Sequence, residues 1–527
     1  MDGEQDPLRR HDKEEGAKEH ELEDEGEGKR GKFQLADYMI STTGFQGPSK
    51  MWEAPHKLLK VLWLLAFLVA CAVMVFQLVE LFKEFYSFPV KTQVKLKFSP
   101  LALPALTFCN VNPIRKSYAA NLSCAVQQLL ELPDEYKRQD CRGQNSTVNY
   151  YDFSNTDCHG CVDPLDSYFQ RRFQIDFLLG DEKRSKRVEA GHQIDDMIVD
   201  CFLFGRRCSF LNVTAFLSAD YGNCYTISAP NVKASRSGPG AALDITFNLE
   251  PEEFVTSYKT GYGLRVVLHE NGTRAFPSTE GFTISSGTET NVGLKLTEVT
   301  RKIGYGESCE EDTDLVKGSA FKHTLLSCRD QCLRSTVLKR CKCVPIEDEA
   351  DRNTVNYCTT ESEFQCKEKV FKEHLNATES GRDLCVCKNP CKDYEYGTTI
   401  SSRVWPLLSY VVTLEDDICT HNRDSPKCSY SGQNFTVSNI DYRRSSFARL
   451  RLYYERLNYE SVEESPFYDT ERFLSDIGGT LGLWIGVTVL GLAELLELLI
   501  LCLLSCSKRM RSRGSPATRP NGRDEKS

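Results

Sequence analysis

Two stretches of the chain are apolar for long enough to cross a bilayer as helices. Val61–Val79 runs nineteen residues without a charge, and Ile477–Leu504 runs twenty-eight interrupted only by Glu494 and Glu497. Either covers a hydrocarbon layer of about 30 Å. The long segment between them carries shorter patterns. Val90–Phe98, Ala105–Val111, Cys224–Ser228, Leu243–Leu249, Gly263–His269 and Phe447–Asn458 alternate or are rich in β-branched and aromatic residues, the mark of strands. Ala119–Glu131, Gln193–Cys201 and Leu326–Leu338 read as helices. The strands sit at both ends of the segment, so a central sheet built from early and late strands is expected, in an α+β domain.

Composition changes this picture in two ways. Hydrophobic residues are 40% of 527 and mean hydropathy is −0.39, so most of the chain is water-soluble and a polytopic transporter is excluded. A net charge of −9 without a dominating basic stripe argues against a nucleic-acid partner. Of 23 cysteines, Cys71, Cys502 and Cys506 fall in or beside the apolar runs, leaving twenty between positions 109 and 428. That even set reads as a disulfide-stapled extracellular domain.

The flanking cations orient the chain. Lys50, Lys57 and Lys60 precede the first run, and Lys508, Arg509, Arg511 and Arg513 follow the second, placing both termini in the cytoplasm of a multi-pass plasma-membrane protein. Six glycosylation sequons, at Asn121, Asn145, Asn212, Asn271, Asn376 and Asn434, all fall between the runs, on the outside. The expected division is a cytoplasmic region over 1–57 (1–32 disordered), a transmembrane helix over 58–82, an extracellular domain over 83–475, a second transmembrane helix over 476–504 and a cytoplasmic tail over 505–527.

Ten cysteines follow a nearly palindromic spacing: Cys309, Cys328-x3-Cys332, Cys341-x-Cys343, Cys358, Cys366, Cys385-x-Cys387-x3-Cys391. Nested pairing would clamp two antiparallel arms, although spacing alone does not determine connectivity. The competing reading is a cysteine-only zinc cluster, disfavoured because an oxidising compartment consumes thiolates as disulfides. No metal and no cofactor is expected. Cys158-His-Gly-Cys161 has redox-pair spacing and reads as a structural bridge in a loop.

No Ser–His–Asp set, metal-ligand cluster or phosphate loop is visible, so the chain does not read as an enzyme. The chemistry sits in the second apolar run. An ionisable residue at the centre of a span costs roughly 2.5–3.5 kcal/mol or more, which makes Glu494 and Glu497 functional candidates. Gly478, Gly482 and Gly486 recur every four residues as a stripe permitting close helix approach. On one continuous helix Glu497 falls within about 20° of Gly486, so glycines and carboxylates would face a shared interior. Several subunits around an axis would turn that interior into a ring of carboxylates, a pathway for cations. The alternative is a two-span receptor or ectoenzyme without a pore, its glutamates snorkelling to the interface.

These residues resemble the degenerin/epithelial sodium channel family, which includes acid-sensing and peptide-gated members. The resemblance runs over about residues 40–505. Leu103-Pro-Ala-Leu-Thr-Phe-Cys-Asn-Val-Asn-Pro113 is similar to the strand after the first span, and Ala190-Gly-His-Gln-Ile-Asp-Asp-Met197 with Cys201 to the acid-sensing group. Tyr221-Gly-Asn-Cys-Tyr-Thr-Ile227, Leu457-Asn-Tyr-Glu460, Asp476-Ile-Gly-Gly479 and Leu483-Trp-Ile-Gly-Val-Thr488 resemble further family signatures. The resemblance implies a homo- or heterotrimeric, sodium-selective channel blocked by amiloride, permeant Na⁺ taking the place of any cofactor. It implies a hand-like ectodomain of palm, knuckle, finger (about 115–220), β-ball and thumb (about 309–391). It also implies the bridges Cys109–Cys224, Cys201–Cys208, Cys309–Cys391, Cys328–Cys387, Cys332–Cys385, Cys341–Cys366 and Cys343–Cys358. Pairing of Cys124, Cys141, Cys158, Cys161, Cys419 and Cys428 stays open.

By the same resemblance Gly486-Val487-Thr488 would be the selectivity filter, with Thr in place of the family's Ser. Gly482 would be the blocker position, Asp476 the outer pore acid, and Glu494 and Glu497 the inner ones. Gln46-Gly47 stands where the family has His-Gly at a gating position. Tyr86 and Tyr305 are the expected aromatic contact between ligand domain and pore. Acid-sensing members of the family carry histidines just above the first span and Glu84–Lys91 has none, so the resemblance favours an extracellular neuropeptide over protons as the stimulus. Proton gating and constitutive or protease-activated opening are the alternatives. Arg184-Ser-Lys-Arg187 reads as an exposed charged loop, with a furin-type cleavage site as the second reading.

Overall fold

The computed structural model describes residues 54–142, 175, 178–180, 182–208, 211–256, 261–304, 309–311, 321–345, 356–382, 384–421 and 442–512. The chain divides into two units, Met1–Val90 with Pro466–Ser527, and Lys91–Ser465. The first apolar run folds as α1, Lys57–Tyr86, 30 residues or roughly 45 Å long. Apolar side chains stand exposed along it, from Leu58 to Phe82, as expected of a helix solvated by lipid. Among the described residues it is the one helix long and apolar enough to cross a membrane.

The second unit opens with β1 (Val90–Phe98), β2 (Leu101–Ala102) and β3 (Ala105–Asn110), then α2 (Lys116–Ala119) and α3 (Cys124–Leu129). The single helix expected over 119–131 is thus split, at Asn121 and Ser123, residue types that favour helix ends over interiors. Next come α4 (Arg184–Ala190), α5 (Ile194–Met197), β4 (Ile198–Leu203), β5 (Arg206–Arg207), β6 (Asn212–Ser218), β7 (Gly222–Ser228), β8 (Lys233–Ala234), β9 (Leu243–Asn248), β10 (Gly263–His269), β11 (Phe282–Ser285) and β12 (Thr288–Thr300). The helix expected over 193–201 is a correction. It stops at Met197 because β-branched Ile198 and Val199 enter a strand that pairs with β9.

Two longer helices, α6 (Leu325–Cys341) and α7 (Glu361–Glu379), precede β13 (Lys392–Val404), α8 (Leu408–His421), β14 (Phe447–Tyr454) and β15 (Asn458–Pro466). The strand expected over 447–458 is therefore two strands. Both lie parallel to β12 along its length, Leu450 opposite Thr290 and Ser461 opposite Glu298. On the other edge β13 pairs antiparallel with all of β12, from Thr288↔Val404 to Thr300↔Lys392. The resulting eight-stranded sheet runs β1-β15-β12-β14-β9-β4-β5, with β13 on β12. Early and late strands do share one sheet.

A second sheet, β11-β10-β3-β7-β6, is stitched by Cys109–Cys224 between directly opposed residues of β3 and β7. The two sheets bury one apolar core that includes Phe108, Ile245, Phe247, Val266, Leu294 and Leu450. Phe108 and Phe247 pack with ring centres 5.0 Å apart. Tyr454 is 1% exposed, and its hydroxyl donates to the Ala102 carbonyl at 2.6 Å, satisfying the one polar atom it buries. Glu289, equally buried, is neutralised by Arg403 at 3.0 Å, with Arg449 and Arg451 at 3.7 and 3.8 Å.

The α6–α7 region is built differently. Among the described residues its apolar cluster centres on Val337, Cys343, Cys358 and Val370, with Leu333, Cys341 and Phe371 packed against it. Capping boxes start both helices, Thr324 with Ser327 and Thr360 with Glu363. Five nested bridges close it: Cys309–Cys391, Cys328–Cys387, Cys332–Cys385, Cys341–Cys366 and Cys343–Cys358. Cys124–Cys141 and Cys201–Cys208 are also bridged, and Cys419 is disulfide-bonded. Cys158, Cys161 and Cys428 lie outside the described residues, as do 1–53 and 513–527.

The second apolar run returns the chain to the first unit as two helices, α9 (Thr470–Ile485) and α10 (Val489–Ser512). The continuous helix expected there is corrected: it is broken over Gly486–Thr488, so the angular relation between Gly486 and Glu497 computed for one helix does not hold.

Because so little apolar surface supports α6 and α7, the bridges that close long loops carry their stability, about 2–4 kcal/mol each. Cys332→Ser is expected to lower surface expression sharply, whereas Cys71→Ser, at a free cysteine of α1, leaves it near wild type. Surface biotinylation checks this, and equal levels for the two variants would remove the ladder from the account.

Candidate functional site

The break in the second apolar run is built by three residues. Gly486 takes the left-handed conformation, φ 74° and ψ 20°, which a residue without Cβ adopts at little cost. Its N–H bonds the Gly482 carbonyl at 3.1 Å, and the Val487 N–H bonds Leu481 at 3.3 Å. This is a Schellman stop, which satisfies carbonyls that the end of α9 would otherwise leave open. Thr488 then restarts the helix: its Oγ1 accepts the Gly491 N–H at 3.0 Å and its carbonyl the Leu492 N–H at 3.0 Å. The proposed filter triplet is thus a helix stop followed by a helix start. Gly482 stands one turn before it, and Glu494 and Glu497 stand on α10, two turns beyond.

Position on α9 separates its residues into sides. Phe473 and Trp484 fall within about 20° of each other. Both meet α1: Phe473 stacks on Phe85 at 4.1 Å and meets Phe82 edge-on at 5.1 Å, while Trp484 Nε1 donates to Gln77 Oε1 at 2.7 Å. Gly482 lies about 180° from Phe473, with Ser475, Gly478 and Gly479 within about 60° of it. The glycines therefore face away from α1. Asp476 lies between the sides, about 120° from Gly482, and its carboxylate accepts a hydrogen bond from the Tyr468 hydroxyl. Tyr86 is 64% exposed, against Phe85 and Phe82. Gln46, Gly47 and Tyr305 lie outside the described residues.

In sequence β1 follows α1 and β15 precedes α9, and these two strands carry a charged network. Glu463 accepts from Lys95 at 2.5 Å and from Lys97 at 2.8 Å. These two bonds bring its carboxyl down to about 2. Lys97 also reaches Ser461 Oγ at 2.9 Å and lies 3.8 Å from Glu298 on β12. Burial opposes ionisation of Glu298, but Lys392 at 2.9 Å wins, and its carboxyl too lies below the usual range. Nothing in residue periodicity marked this network; its one trace is the alternation Lys95, Lys97 on a strand otherwise rich in β-branched and apolar residues.

The remaining candidates scatter. Arg184–Arg187 is the first turn of α4 and not an exposed loop: Arg187 is 7% exposed and lies over the Tyr357 ring at 5.2 Å. A protease requiring an extended strand would have to unwind it. His192 is 1% exposed, with Nδ1 2.6 Å from Glu250 and Nε2 3.2 Å from Asn112. His269, bonded to Thr107 and Thr273, is pushed by burial down to about 4. Asn121, Asn212 and Asn376 are exposed. Asn271 is not free, because its Nδ2 donates to the Leu103 carbonyl at 2.7 Å. Asn145 and Asn434 lie outside the described residues.

The chain resembles sodium channel subunits and degenerins along much of its length. The chain is 25% identical over 538 aligned residues to the epithelial sodium channel subunit alpha of Neoceratodus forsteri, covering 88% of this chain and 79% of that one. It is 24% identical to the FMRFamide-activated amiloride-sensitive sodium channel of Cornu aspersum, over 87% of this chain and 82% of that one. Degenerin unc-8 of Caenorhabditis elegans is 27% identical over 62% of this chain and 42% of its own. The amiloride-sensitive sodium channel family profile itself matches residues 39–498, so the chain belongs to the amiloride-sensitive sodium channel family.

Proposed function

We propose that this chain is a subunit of a trimeric, sodium-selective plasma-membrane channel, blocked by amiloride and opened by an extracellular ligand, a peptide before any other. The observation that carries the pore reading is the break at Gly486–Thr488. Non-helical backbone at membrane depth is tolerated where it is buried in protein or lines a water-filled path, not against lipid. Discontinuous helices present exactly such backbone carbonyls and helix ends to ions. Three copies would offer a girdle of carbonyl and hydroxyl oxygens at Gly486–Thr488, with Glu494 and Glu497 drawing cations beyond it. A relative named as a channel subunit supports assembly from several chains, and one named as FMRFamide-activated supports a peptide.

Voltage clamp of expressing oocytes tests the pore. Glu494→Gln is expected to cut single-channel conductance several-fold with surface protein intact, and Gly486→Ala or Thr488→Ala to shift the reversal potential in mixed Na⁺ and K⁺. Wild-type conductance and reversal potential in all three would end the reading of α9 and α10 as a pore.

The charged network bears on the stimulus. A carboxyl depressed in the folded protein contributes stability that is complete above its ordinary value of 4.5 and is lost as pH falls toward the folded value, here about 2 for Glu463. A step from pH 7.4 to pH 5.5 therefore leaves Glu463 and Glu298 ionised, and His269 neutral. Such a step alone is expected to evoke no amiloride-sensitive current; a robust acid current would transfer the proposal to proton gating.

Topology is tested by glycan mobility. Asn121→Gln, Asn212→Gln and Asn376→Gln are each expected to speed the surface protein on a denaturing gel. Asn271→Gln is expected to migrate as wild type, since its amide is bonded inside the fold. A shift for Asn271→Gln would show that this loop does not close on Leu103 as drawn.

A further inference from the structure

Tyr468 is 5% exposed, and its hydroxyl donates to the Asp476 carboxylate eight residues on. Its ring is held edge-on by Phe85 at 6.4 Å and by Phe473 at 6.1 Å. Phe85 and Phe473 are themselves stacked, so the phenol is set in one orientation by α1 and α9 together. A buried tyrosine hydroxyl requires an acceptor, and an ionised carboxylate is a strong one. The neighbouring carboxylate of Asp469 is occupied as the cap of α9, accepting the Arg472 N–H at 2.8 Å. Asp476 lies about 60° from Phe473 on the helix and about 120° from Gly482. The hydroxyl therefore holds the acid toward the side that packs on α1 and away from the glycine side.

We infer that Tyr468 is a positioning residue that withholds Asp476 from the ion path, a latch on the outer end of the second apolar run. While the bond is made, the carboxylate stays in the aromatic cluster and the first turns of α9 stay fastened to α1. When it breaks, the acid is released toward the glycine side and the outer end of α9 is freed. The inference rests on the pore reading of α9 and α10. It assigns Asp476 to opening, where the family resemblance assigns it to conduction.

Tyr468→Phe keeps the ring and removes the hydroxyl. In the full-length channel in lipid nanodiscs, hydrogen exchange over residues 470–476 should rise roughly tenfold, the weight of one hydrogen bond to a charged acceptor. Asp476→Ala should do the same, and the double variant no more than either. In oocytes, Tyr468→Phe should raise the resting amiloride-sensitive current per surface channel by a similar factor at unchanged unitary conductance, which a merely structural role would not do. Wild-type exchange in Tyr468→Phe, or additive effects in the double variant, overturns the tether. Coupled exchange with an unchanged resting current overturns the latch, as does a lower unitary conductance, which would put the acid in the ion path while still bonded. The pore reading fails separately, on Glu494→Gln and Thr488→Ala, without altering the exchange result.

Discussion

On the pore reading the second apolar run lies in hydrocarbon, which leaves no water to take up a stray backbone hydrogen bond, and this constraint decides what the run can be. A break in such a run must close its own hydrogen bonds. Gly486 and Thr488 do so from opposite sides, the glycine by reaching the left-handed region that turns two N–H groups back onto Leu481 and Gly482, the threonine by lending its hydroxyl to Gly491. An alanine at 486 would strain the stop, and an alanine at 488 would leave an N–H of the restart without its side-chain partner. The residues that permit the break are thus the residues that the pore reading takes as the filter.

The unit Lys91–Ser465 solves a different problem, that of supporting long arms with uneven apolar content. β12 is the spine, taking β13 along one edge and β14 and β15 in succession along the other. Two sheets share a continuous core there, and Glu289 is tolerated inside it because three arginines surround it. Around α6 and α7 the apolar cluster among the described residues is small, and five covalent bridges reinforce it. The same trade appears in the charged network of β1, β12 and β15, where lysines and glutamates hold each other at distances that keep the carboxylates ionised.

Much of this was legible in the chain. The near-palindromic cysteine spacing follows from two arms whose bridges nest, and strands at both ends of the long segment follow from a sheet that needs β1 and β15 side by side. What was not legible has physical causes. β13 carries Gly397, serines and threonines and alternates poorly because it is an edge strand, largely exposed on both faces. The helix expected over 193–201 failed because hydrophobic period cannot separate one helical turn from the strand that continues it. The break at Gly486 was readable and was missed: glycine at a helix end followed two residues later by threonine is a stop and a cap, but unbroken apolarity on either side outweighed it. Tyr468 carried no local signal, since its partner lies eight residues away.

Electrostatics at the break follows from the same geometry. The carbonyl end of α9 carries about half a negative charge, and the N–H end of α10 about half a positive one. An ion passing the break would meet first a field that favours cations and then one that opposes them. Thr488 blunts the opposing end by turning its hydroxyl oxygen onto the Gly491 N–H in the first turn of α10. Glu494 and Glu497 then add full negative charges two turns further along. On the pore reading, acids deeper than the filter are required by the helix restart, because without them the second helix would repel the cation that the first attracts. On that reading, a chain that broke its helix at Gly486 but carried leucines at 494 and 497 would keep the girdle of oxygens and lose the field beyond it, so the break and the two acids would act together.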